Sequence, residues 1–119
     1  MREIKFERTV WAERQLAKLC PNNDIKKLGD VISTDDFDKQ MENLETMIII
    51  MNEAYERKAH FLDNSYEPNP VTREELEYMS EDELMKLSDL AFGMFLEDGK
   101  TEMVTEQKKR KTGTTTKSI

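Results

Sequence analysis

Residues 44–62 read LETMIIIMNEAYERKAHFL, and the five apolar side chains in a row from Met47 to Met51 decide how the rest of the chain is organised. Consecutive residues of a helix project about 100° apart, so a single amphipathic face cannot use all five. No Gly or Pro occurs between Gly29 and Pro68, which leaves room for one long helix ending near Leu62. On that helix Phe37, Met41, Leu44, Ile48, Met51, Tyr55, Ala59 and Leu62 follow one another at three- and four-residue spacings and form one apolar seam. Met47, Ile50, Ala54 and Phe61 form a second seam about 100° away, and Ile49 lies off both. Such a helix is either the centre of a small bundle, packed by an N-terminal helix on one seam and a later helix on the other, or it keeps its second side for another chain. Met47, Ile49, Ile50, Ala54 and Phe61 are therefore the candidate protein-binding residues. Methionine adapts to irregular contacts, and Met41, Met47, Met51, Met85 and Met94 all fall on or beside apolar stripes.

Working outward, REIKFERT (2–9) alternates Ile4 and Phe6 with Lys5 and Glu7 and predicts a short N-terminal strand. Thr9 can cap the helix VWAERQLAKLC that Pro21 closes. The stretch NNDIKKLGDVI predicts a turn and one or two helical turns, weakened by Gly29. Ser33 or Thr34 can cap the long helix, with Asp35 and Asp36 at the positive end of its dipole. NSYEPNP forces an extended connection. Thr72–Glu75 (TREE) and Ser80–Glu83 (SEDE) both match the capping box, so a short helix precedes a longer one with Leu84, Leu87, Leu90, Ala91, Met94 and Phe95 on one side and Gly99 as its stop. The expected fold is mainly α: a helical domain over residues 1–99 around one long central helix, with a short N-terminal β strand. Residues 100–119 are expected to form a disordered basic tail, in which Met103 and Val104 could add a few residues of strand beside Ile4 and Phe6.

Charge is divided unevenly between these two parts. The chain carries a formal −7, whereas residues 100–119 hold six Lys or Arg against Glu102 and Glu106, a net +4, which leaves −11 on residues 1–99. A body this acidic repels phosphate backbones and anionic headgroups, so nucleic acid and membrane surfaces are poor partners for it. No run of residues approaches the roughly 20 apolar positions of a membrane span, and charges fill residues 2–8 where a secretion signal needs an apolar run. A cytoplasmic protein is expected. Cys20, the single cysteine, excludes an internal disulfide and sits beside Leu19 and Ala17 as a buried thiol.

Chemistry-bearing patterns are sparse. His60 is the one histidine, with Glu53 and Glu56 at helical distances; a lone imidazole on a solvated helix makes an ordinary surface site rather than a metal centre. There is no Gly-rich phosphate loop and no nucleophile paired with a base, and the DD and EDE runs serve helix starts. The residues call for no catalytic group, no cofactor and no metal.

Taken in order, REIKFERT, WAERQLAKLCPNNDIKKLGDVI, MIIIMNEAYERKAHF, YEPNPVTREEL, MSEDELMKL and DGKTEMVTE resemble the tail assembly chaperones of long-tailed phages and prophages of Gram-positive bacteria, over residues 2–106. The resemblance implies a non-enzymatic protein that binds the apolar tape measure protein before the tail forms, recruits tail tube subunits to it, and is absent from the finished virion. It also implies that QKKRK (107–111) could mark a frameshift site for a longer form. Self-association is a further use of the same apolar side. An alternative from the residues alone is a small regulatory adaptor that binds a protein through its helices and nucleic acid through its basic tail.

Overall fold

The computed structural model describes the backbone of residues 2–99 and the side chains of residues 2–94. Among the described residues five α-helices follow in the order α1 (Val10–Ala17), α2 (Leu28–Ile32), α3 (Phe37–Leu62), α4 (Arg73–Glu77) and α5 (Glu81–Gly99). All but α2 start where a side chain supplies a partner for free backbone amides. The Thr9 hydroxyl accepts from the Ala12 amide at 3.1 Å to open α1, and Asp36, rather than Ser33 or Thr34, caps α3 by accepting from the Lys39 amide. Ser33 instead ends α2. Both capping boxes form: Thr72 and Glu75 exchange hydrogen bonds at the start of α4, as do Ser80 and Glu83 at the start of α5. Between α1 and α2, Pro21 is followed by Asn22 and Asn23 with φ of 56° and 59°, the left-handed region that Asn tolerates better than most residues.

At 26 residues α3 is about 39 Å long, close to the 42 Å longest dimension of the molecule. It is the axis on which α1, α2, α4 and α5 pack. Leu16 from α1, Leu28 from α2, Met47, Ile48 and Met51 from α3, and Leu76 from α4 are all fully buried, each worth about 1.5–3 kcal/mol on leaving water. Arg57 of α3 stacks 4.2 Å from the Trp11 ring centroid of α1. The ends of α3 outrun their covering, so Phe37 at one end and Phe61 and Leu62 at the other stand exposed.

The N-terminal strand is not formed. Residues 2–9 are non-helical, and no strand occurs among the described residues. The alternation is nevertheless used, because Phe6 is buried and Ile4 packs against the core. What differs is the hydrogen-bond partner: the Glu7 amide donates to the Met51 carbonyl of α3 at 3.1 Å, and the Lys5 carbonyl accepts from the Asn52 side-chain amide at 2.8 Å. A carbonyl has two lone pairs, so a helix can accept a bond from an extended strap without losing its own. The tail, with the Met103–Val104 strand expected there, lies outside the described residues. Among the described residues no helix is long and apolar enough to cross a membrane.

A polar spine on α3 and an acidic groove beside it

The five-residue apolar run is mostly consumed by the fold. Met47, Ile48 and Met51 are at most 1% exposed, while Ile49 and Ile50 are half-buried and pack against the core. Of the five candidate protein-binding residues, Met47 and Ala54 are therefore core, Ile49 and Ile50 are partly covered, and Phe61 alone is open, at 82% exposure. They do not form one exposed face. Cys20 is buried as its neighbours suggested, its thiol donating to the Leu16 carbonyl, and burial raises its pKa.

Beside the apolar seams runs a polar one that periodicity alone did not reveal. Glu45, Asn52 and Glu56 are all buried on α3, and with Ile49 they follow at spacings of four, three and four residues, one stripe of a helix. Asn52 joins two segments that are not helical, donating to Lys5 and accepting from the Val71 amide at 2.7 Å. One oxygen of Glu56 accepts from the Tyr66 hydroxyl at 2.7 Å and the Asn69 amide at 2.9 Å, which pins the connection between α3 and α4. That bond holds the Tyr66 hydroxyl proton and raises its pKa. His60 belongs to the same connection, its Nδ1 lying 2.9 Å from the Tyr66 carbonyl. Glu53 pairs with Arg57, while His60 and Glu56 bond to the carbonyl and the hydroxyl of Tyr66, and no group of metal ligands converges among the described residues.

The other spine carboxylate, Glu45, faces a groove of about 520 Å³ between the first turns of α3, the helix α4 and the start of α5. Phe37 and Met41 line it from α3, Leu76 from α4, Met79 from the turn, and Leu84 from α5. Phe37 forms an open lip at 61% exposure, whereas Leu76 and Leu84 are buried beneath. The rim is acidic, with Asp38 and Glu42 on one side and Glu77 and Glu81 on the other. Arg73 crosses it, bonding to Glu45 at 2.8 Å, to Thr46 at 2.7 Å and to the Glu42 carbonyl at 3.4 Å. Burial, together with the neighbouring Glu77 carboxyl, raises the pKa of Glu45 despite the guanidinium.

Fold and site together define a small helical domain with an amphipathic, acid-rimmed groove. Comparison with protein-family models, with curated proteins and with solved structures gives no match.

Sequence reasoning missed Glu45, Asn52, Glu56, Arg73 and the groove. One signal was present: polar residues at helical spacing directly beside a run of five apolar ones stand where burial is hard to avoid. Their partners at Lys5, Val71 and Arg73 are 19 to 47 residues away and leave no mark in local pattern.

Proposed function

We propose that the protein is a non-enzymatic tail assembly chaperone of the kind made by long-tailed phages and prophages of Gram-positive bacteria, acting in the host cytoplasm. In this reading it holds an apolar helical segment of the tape measure protein and recruits tail tube subunits to it. The observation that carries the reading is the groove: an apolar bed of Phe37, Met41 and Met79, opened to solvent beside a rigid long helix, is the form in which small helical proteins take a helix from a partner. The order of sequence segments from residue 2 to 106 supports the phage context. Exposed Phe61 and Leu62, at the far end of α3, provide a second apolar point for a separate partner such as the tube subunit.

Co-expression tests it. The tape measure protein encoded in the same genome should stay soluble and co-purify with this chain, and Phe37→Ser should reduce the yield of complex while the chaperone itself remains folded. A tape measure protein equally insoluble with and without this chain would overturn the proposal.

A further inference from the structure

We propose that the groove between α3, α4 and α5 binds a cationic amphipathic helix of another protein, whose apolar side chains seat on Phe37, Met41 and Met79 while its flanking Lys or Arg side chains meet Glu42, Glu77 and Glu81. The inference rests on reading the protein as a binder of other proteins; it does not require that partner to be a tape measure protein.

Charge complementarity selects the partner. The groove is lined by Asp38, Glu42, Glu45, Glu77 and Glu81 against Arg73 alone, five negative charges to one positive, a net −4. Arg73 is committed to Glu45 and Thr46, and among the described residues Asp38, Glu42 and Glu81 form no ion pair. An acidic or phosphate-bearing partner would add repulsion to this rim, whereas a basic one would find acceptors already placed around an apolar bed. The −11 on residues 1–99 extends that preference to the approach of the partner. Length argues for a helix. The α3 wall from Phe37 to Glu45 spans about 12 Å, or two turns, which suits apolar anchors at positions i, i+3 or i+4, and i+7.

The test uses the full chain and two synthetic helical peptides of about 18 residues with the same Leu anchors, one carrying Lys at its polar positions and one carrying Glu. The Lys peptide should bind at least about tenfold more tightly by fluorescence anisotropy. Its affinity should fall when salt is raised from about 0.1 M to about 1 M, which shortens the Debye length from about 10 Å to about 3 Å. Phe37→Ser and, separately, the double change Glu42→Gln with Glu77→Gln should each weaken binding with circular dichroism unchanged; all three positions are exposed, and the two variants probe the apolar and charged contacts independently. Equal binding of both peptides, or Lys-peptide binding indifferent to both variants, would overturn the proposal. So would binding that tightens about tenfold once Lys108, Lys109, Arg110 and Lys111 are changed to Gln, because the chain's own basic segment would then be the occupant. A groove variant that dissociates the protein itself in sedimentation would give the groove to a second copy and equally refute it. Because no tape measure protein enters this experiment, its result and that of the co-expression test fail separately.

Discussion

Asn52 illustrates how much one polar side chain can hold. It is 2% exposed and supplies both halves of its amide to backbone groups, one in the N-terminal strap and one at the entry to α4. Asn52→Leu keeps the size and removes both bonds, leaving the buried Val71 amide and the Lys5 carbonyl without these partners. The expected loss is about 3 kcal/mol in a denaturant titration, since each stranded group costs about 1–3 kcal/mol, and amide exchange at Glu7 should accelerate as the strap loosens. Glu45 carries a different liability. A carboxyl whose folded-state pKa is raised binds its proton more tightly in the folded than in the unfolded chain, so its contribution to stability is fully present below the ordinary Glu pKa and is lost as pH rises through the folded value. At neutral pH the site is therefore at its least favourable. Glu77→Gln removes the neighbouring charge and offers an amide donor instead. It should raise stability at pH 7 by about 0.5 kcal/mol, with the gain vanishing near pH 4, as followed by melting temperature across that range.

At the scale of elements, capping chemistry fixes where helices begin and partners fix where they lie. Thr72–Glu75 illustrates both roles, because Glu75 completes the capping box of α4 and also receives Arg2 of the N-terminal strap at 3.0 Å. The hydrogen bonds from Arg2 lower the Glu75 pKa, and this residue binds the strap to α4 just as Asn52 binds it to α3. In α5, Gly93 occupies a helical position where an added Cβ would meet nothing within 4 Å. Glycine in a helix interior costs roughly 0.5–1 kcal/mol relative to alanine, so Gly93→Ala should stabilise the protein by about that amount in thermal or chemical unfolding. A loss of stability would show that the α5 backbone at this point is approached more closely than the described residues indicate.

For the whole molecule, the core cluster draws its buried side chains from Phe6 to Ala91, with Met94 among those packed against it. Ending the chain at Gly99 should therefore leave the helical circular dichroism unchanged and move the melting midpoint by no more than about 3 °C, the scale of a surface change. A larger fall would give Met103 and Val104 a place in the core. The overall design joins one long axis, buried over its middle and bare at both ends, to a strap and a connection held by side chains of that axis.

The sequence by itself determined the helices: α3 and its length from uninterrupted periodicity, α4 and α5 from two capping boxes, and the buried thiol of Cys20 from its apolar neighbours; two adjacent seams allowed a central α3 but also a side kept for another chain, and the packing decided between them. These are local features, written within a few residues of one another, because capping and helical repeat act over one or two turns. It also put Ile4 and Phe6 on one side of residues 2–9, but that this side faces inward, and the backbone partner of the segment, were decided by the fold. Alternation reports which side chains are buried and says nothing of what accepts the backbone hydrogen bonds; here a helix carbonyl and Asn52 do so in place of a strand. The acidic groove likewise exists only in three dimensions. Glu45 and Arg73 are 28 residues apart, and Glu45 looks like any solvated helix glutamate until α4 folds over it. Tertiary packing turned that exposed-looking charge into a buried one and set it beneath the acidic rim of the groove.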